Sequence, residues 1–222
     1  MRTALICKTP PQPFIQRADV KKQLKIAADD TGQDDLLDMY IGAACGVLDG
    51  ADGRLKLAVA PQAWELVLPS FFPSGRCQPA RIELPLPPIR SVTSVKYFDN
   101  NGVQQTLDVG DWRLVNRGSD RSRIVPAASW PSTPCREDAV SIAFVAGFSR
   151  EDGDGFVPMP LQIAQAAMLM VKGFYDLGQR NAFLGTDTVF GVGSRQYAVS
   201  TAAADVVQRA VDNLLSNIAL LG

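Results

Sequence analysis

The chain has 222 residues, 46% of them hydrophobic and 20% charged, and Lys plus Arg (22) so nearly balances Asp plus Glu (23) that the formal net charge is −1. That length can bury a sizeable core in one domain or two small ones, and that balance excludes a protein that grips DNA phosphates or an anionic membrane through bulk charge. Histidine is absent, which removes the commonest general base, the commonest zinc ligand and the central member of Ser/His/Asp and Cys/His arrangements, so the chain reads as a non-enzyme without a cofactor.

Cys7, Cys45, Cys77 and Cys135 are scattered, with no Cys-x-x-Cys pair. Free thiols in a reducing compartment are the simple reading, although their even number leaves a disulfide open. The N-terminal apolar run is too short for a signal peptide, and bulky Ile6 argues against lipidation at Cys7. No apolar stretch reaches the roughly 18 residues that a membrane-spanning helix needs.

In chain order, residues 1–17 read as an extended arm, because Pro10, Pro11 and Pro13 deny both helix bonds and regular ladder pairing. A short helix is expected over about Asp19 to Ala28. A stronger one starts near Thr31, where Thr31-Gly32-Gln33-Asp34 has the spacing of a capping box. Its apolar face is Leu37, Tyr40, Ile41, Ala44, Val47 and Leu48, and Gly50 and Gly53 stop it. From about Pro61 to Phe148 the period changes to two. Strands are expected over Trp64–Leu68, Arg81–Leu84, Val92–Phe98, Val103–Leu107, Asp111–Val115, Ser122–Val125 and Ala139–Val145, as an antiparallel sandwich or barrel-like insert. The cluster Asp99-Asn100-Asn101-Gly102 can supply the positive φ that a hairpin turn requires.

Residues 149–158 form a Gly/Asp linker. Pro158-Met159-Pro160 then opens a long helix with Leu161, Ala164, Met168, Val171 and Tyr175 on one stripe. A last helix covers about Ala202 to Leu221, with Val206, Ala210, Leu214, Ile218 and Leu221 in phase. Between the two, Asn181 to Ser200 mixes aromatics with Gly185, Gly191 and Gly193, a composition costly to order alone.

Candidate sites resolve mostly into scaffold. Glu151-Asp152-Gly153-Asp154-Gly155 has oxygen ligands for calcium but lacks the remaining EF-hand positions, and is read as linker. Asp29-Asp30 and Asp34-Asp35 are read as helix-end acids, and Gly191-Val192-Gly193-Ser194 as a loop rather than a nucleotide fingerprint. Arg113, Arg117, Arg121 and Arg123 form a basic cluster read as a charge-protected sheet edge. Trp64, Trp112 and Trp130 are assigned to the core.

The order of these pieces resembles the head-tail connector (head completion, or adaptor) proteins of tailed bacteriophages, from roughly Thr9 to Asp176. The resemblance is carried by Asp19-Val20-Lys21-Lys22-Gln23-Leu24-Lys25, the helix from Asp34 to Leu48, Trp64-Glu65-Leu66-Val67-Leu68 and Phe71-Phe72-Pro73. It continues through Ile82-Glu83-Leu84-Pro85, Pro88-Ile89-Arg90-Ser91-Val92-Thr93-Ser94-Val95, Tyr97-Phe98-Asp99-Asn100-Asn101-Gly102 and Trp130-Pro131. The last pieces are Phe144-Val145-Ala146-Gly147-Phe148, Val157-Pro158 and Gly173-Phe174-Tyr175-Asp176.

The resemblance implies an α+β protein, mainly a helical bundle of N- and C-terminal helices with an antiparallel β-rich insert. Its divisions are an arm (1–17), N-terminal helices (18–60), the insert (61–148), a linker and long helix (149–180), and a Gly/aromatic segment with the C-terminal helix (181–222). The implied role is structural: a homo-oligomeric ring, twelvefold in the family, lying below the portal protein at the head-tail junction of the virion after assembly in the host cytoplasm. Double-stranded DNA passes through such a ring without tight binding, neck, stopper or tail-completion proteins assemble on it, and no membrane is involved. Leu37, Tyr40, Ile41, Ala44, Leu161, Met168 and Tyr175 are the expected subunit contact, and Phe183, Phe190, Tyr197, Leu214, Ile218 and Leu221 the expected portal-docking residues. The rival reading is a tail-associated or carbohydrate-binding β-sandwich module.

Overall fold

The computed structural model describes residues 3–71, 81–149, 156–179, 186–189, 193–196, 201–216 and 218. The chain divides into two compact units: a β-rich one built from the stretch through Gln12 and from Asp49–Met159, and a helical one built from Pro13–Leu48 and the chain from Pro160 to Leu220. The α+β class is as expected, but more of the chain falls in the β-rich unit than in the helical one. The chain passes from the β-rich unit to the helical one at Gln12/Pro13 and back at Leu48/Asp49, where Asp49 is hydrogen-bonded into the β-rich unit.

In the β-rich unit, β1 (Ala4–Thr9), β2 (Gln62–Leu68), β8 (Val140–Ala146), β4 (Ile89–Phe98) and β5 (Gln104–Thr106) form an antiparallel sheet in the order β1-β2-β8-β4-β5. A second sheet has the order β3-β7-β6, from Ile82–Glu83, Arg123–Pro126 and Trp112–Val115. Alternation decides which side chains go inside: Trp64, Leu66 and Leu68 of β2 and Val140, Ile142, Phe144 and Ala146 of β8 are buried, with half-buried residues between them. Ile82, Trp112 and Ile124 of the smaller sheet join the same core, so the two sheets share one apolar interior. Phe71 stacks on Trp130 with centroids 4.6 Å apart and planes at 5°, and all three tryptophans are buried. Complete burial of a side chain such as Phe71 or Phe144 contributes about 1.5–3 kcal/mol.

The N-terminal stretch corrects the expectation of an unpaired arm. Ala4 to Thr9 pair with β2, and the ladder ends at the residue before Pro10, so the prolines limit the strand and do not prevent it. The expected strand at Asp111 begins one residue later, after a 3-10 turn over Val109–Asp111. The β4–β5 turn is as the sequence requires. Gly102 takes φ 78°, its N–H donates to Asp99 O at 2.9 Å, and Asp99 Oδ1 accepts from the N–H groups of Asn101 (2.9 Å) and Val103 (3.0 Å).

The helical unit holds α1 (Arg17–Leu24), α2 (Asp34–Leu48), α3 (Leu161–Gln179) and α4 (Thr201–Ser216). Helix α1 ends earlier than the expected Ala28 because Lys25 turns left-handed, φ 59°, and its N–H caps the carbonyls of Lys21 and Lys22. The second helix begins at Asp34, where the backbone N–H bonds Thr31 O at 3.2 Å, and not at Thr31. On α2 the buried face is Leu37, Ile41, Ala44, Cys45 and Leu48, whereas Val47 points outward, 47% exposed.

The expected faces of α3 and α4 are rotated. On α3 the buried line is Ile163, Ala166, Ala167 and Val171, with Leu161 82% exposed; on α4 it is Val211 and Leu215, with Val206 63% exposed. Helix α4 is described over Thr201–Ser216, and the expected end at Leu221 lies outside the described residues. Within Asn181–Ser200, for which no strand was expected, Thr186–Val189 (β9) and Gly193–Gln196 (β10) pair as an antiparallel hairpin with Gly193 opposite Val189. Among the described residues no helix is long and apolar enough to cross a membrane.

Candidate functional site

Three local constructions hold the surfaces that the two units offer. At the start of the β-rich unit, Asp49 is buried and accepts from Val59 N–H at 2.7 Å, Ala60 N–H at 3.1 Å and Gln62 Nε2 at 2.7 Å. Trp64 Nε1 donates in turn to Gln62 Oε1 at 3.0 Å. Burial raises the Asp49 pKa above the ordinary carboxylate value, and the bonds from Val59, Ala60 and Gln62 oppose that rise. Sequence reasoning passed over Asp49; its only signal was an acid following a buried helix residue and preceding Gly50, which takes φ 84°.

The second construction is at Gly147. Its φ is +125°, and a Cβ there would lie 2.4 Å from Ala60 O, so backbone meets backbone where only glycine fits. The neighbouring N–H groups are used fully: Gly147 donates to Pro88 O at 2.9 Å and Phe148 to Val59 O at 3.0 Å.

The third ties α1 to α2. Nearly buried Lys21 puts Nζ 2.5 Å from Asp34 Oδ1 and 2.7 Å from Asp30 O, while Arg17 reaches Asp34 Oδ2 at 2.8 Å. The Lys21 hydrogen bond, with Arg17 beside it, holds the Asp34 carboxyl below its usual pKa.

The expected subunit-contact residues fall into two groups. Leu37, Ile41 and Ala44 are buried in the chain's own fold. Tyr40 is half-buried, its ring 6.1 Å from that of Phe174 on α3, and Met168 and Tyr175 are half-buried too. Leu161 is open. Of the expected portal-docking residues, Leu214 is half-buried and Ile218 is buried, while Phe183, Phe190, Tyr197 and Leu221 lie outside the described residues.

What is exposed instead on α2 is the line Asp35, Asp38, Met39, Gly42, Ala43, Gly46 and Val47, at three- and four-residue spacing. On α4 the corresponding exposed line is Val206, Arg209, Asn213 and Ser216.

The basic cluster is divided by the fold. Arg113 on β6 and Arg123 on β7 lie diagonally on the outer face of the smaller sheet, where Glu83 is directly opposite Arg123. Arg117 joins a different group: its Nε donates to Arg90 O at 2.7 Å, and the two guanidinium carbons lie 5.3 and 4.8 Å from the Phe156 ring centroid. Cys7 and Cys135 are exposed, Cys45 is buried, and none of the three is in a disulfide. Among the described residues no three His, Cys, Asp or Glu side chains converge as metal ligands, and residues 151–155 lie outside those described.

No family model matches the sequence, and no curated protein matches it. Its architecture is shared with solved chains from gene transfer agent (GTA) particles. One comes from the neck of an empty GTA particle computed with C6 symmetry, at 22% identity and TM-score 0.60, covering 96% of this chain and 95% of that one. A second comes from the virion of a native GTA particle, at 22% identity and TM-score 0.61, covering 95% and 94%. A third comes from the neck of a native GTA particle computed with C12 symmetry, at 21% identity and TM-score 0.57, covering 96% and 94%. Over nearly its whole length, then, this chain has the fold of chains found in those particles.

Proposed function

We propose that this chain is a structural component of the neck of a phage-like particle, a head-tail connector that forms a ring below the portal, lets DNA pass and carries the next neck or tail component. The observation that carries this reading is the likeness of fold, nearly end to end, to chains of GTA particles whose necks were computed with sixfold and twelvefold symmetry. The agreement of that likeness with the independently read order of helices, Pro-rich corner and β-rich middle adds to it.

In this reading the β-rich unit is an insert carried by a helical platform, and the protein works by shape, with no bond made or broken. Ring closure requires a heterologous interface, one surface of a subunit against a different surface of the next. The helices supply it, with Leu161, Met168, Tyr175 and Tyr40 as contributors that keep exposed area. The chain beyond residue 180, with Phe183, Phe190, Tyr197, Leu214 and Leu221, is the portal-docking element. Assembly takes place in the host cytoplasm, and the product resides at the head-tail junction.

The test is electron microscopy of the purified protein alone and mixed with its portal. Coaxial rings on the portal are expected, and a monomer in every mixture overturns the reading. Changing Phe183, Phe190 and Tyr197 together to Ser is expected to abolish portal binding; undiminished binding rules out this docking element.

A further inference from the structure

We propose that the outward face of α2 docks against the outward face of α4 of a second copy of this chain, an inference that rests on the ring reading above and adds a helix pair to its repeated contact. The first observation is an unrewarded cost. Glycine in a helix interior is worse than alanine, yet Gly42 and Gly46 both stand on the exposed line of α2. A Cβ at either would meet nothing within 4 Å, and neither has the positive φ that excuses Gly50 or Gly147. Nothing in their own fold calls for glycine. Together with Ala43 they make a shallow groove flanked by Met39 and Val47, which are 61% and 47% exposed, and such a groove lets another helix approach at short interaxial distance.

The second observation is where the two faces lie. Helix α3 meets α2 at Phe174 and Gly178, where a Cβ would be 2.5 Å from Tyr40 Oη, and meets α4 at Gly173, opposite Val207. Different lines of α3 are therefore occupied, and the outward sides of α2 and α4 are two different surfaces of one unit. A ring needs that non-identity. A third observation selects the pairing. The α2 line opens with Asp35 and Asp38, and the exposed α4 line carries Arg209 one turn from apolar Val206. With the helices antiparallel, Val206 lies over Gly42 as Arg209 reaches Asp35, beside Asp38, which Arg17 already pairs at 3.3 Å, an opposite-charge match at one end of an apolar contact. The fold's occurrence in necks of C6 and C12 symmetry makes a second copy the occupant.

The experiment compares the full-length protein with Gly42→Ala/Gly46→Ala, Gly42→Leu/Gly46→Leu, Asp35→Arg, Arg209→Asp, and the last two combined, by light scattering and thermal melting. The alanine pair is expected to melt about 2–8 °C higher as the unassembled chain, because the fold itself gains helix propensity. The leucine pair is expected to keep its fold and need at least about tenfold more protein to form rings, the effect of roughly 1.4 kcal/mol at the contact. Each charge reversal is expected to weaken assembly, and their combination to restore it. Rings formed by the leucine pair as readily as by the wild type, or no recovery in the combined charge variant, overturn the α2–α4 contact and leave the ring reading standing. A wild-type chain that forms no ring, alone or with portal, overturns both.

Discussion

Asp49 and Gly147 both act on the same short stretch around Ala60. Asp49→Ala leaves the N–H groups of Val59 and Ala60 and the Gln62 amide without their buried acceptor; a loss of about 2–4 kcal/mol is expected from urea unfolding. Because burial raises its pKa, the native state holds a proton on Asp49 at a higher pH than the unfolded chain does. Its contribution is thus complete below the unfolded value, about 3.9, and declines as pH rises through the raised native value. The stability of the wild type relative to Asp49→Asn should accordingly be greatest in acid and shrink with rising pH. Gly147→Ala places a Cβ into Ala60 O at an unfavourable φ, and is expected to cost at least about 3 kcal/mol in the same assay.

At the scale of elements, α1 is a short helix held to α2 by charge. Asp34 has a lowered pKa, so its pairing with Lys21 and Arg17 stabilises the fold above the unfolded carboxylate value and is lost as pH falls through the lowered one. In an acid titration followed by circular dichroism, the wild type should lose stability relative to Asp34→Asn over that interval below about pH 4; parallel curves would show the pair to be inert. The strands were legible because β2 and β8 alternate cleanly, and the Asp99 turn because its chemistry is local. The faces of α3 and α4 were not. Helix α3 carries Leu161, Ile163, Ala164, Ala166, Met168 and Leu169 around most of its circumference, so periodicity offers several stripes and only packing selects Ile163, Ala167 and Val171. Strand β1 was hidden by the prolines that follow it, and Asp49 by having no motif at all. The expected contact residues Leu37, Ile41 and Ala44 were recognised as one face; whether that face turned inward or outward was the part only the tertiary structure supplied.

For the whole molecule, a formal net charge of −1 would suit the proposed conduit, because each firm phosphate contact would add binding energy and retard sliding. The purified protein is expected to retain no duplex DNA in filter binding at about 0.15 M salt; salt-sensitive retention under those conditions would instead indicate a concentrated basic surface. The division of the chain has a further consequence for how it is made on the ribosome. Helices α1 and α2 are translated before all of the β-rich unit except β1, and their companion α3 only after its main stretch, from Leu161 onward. At about 5–20 residues per second, Leu37, Ile41, Ala44 and Leu48 wait on the order of 5–20 s for the helix that will cover them. A nascent chain therefore carries a sticky apolar stripe through most of its synthesis, and slowing translation across the β-rich stretch should increase its capture by chaperones.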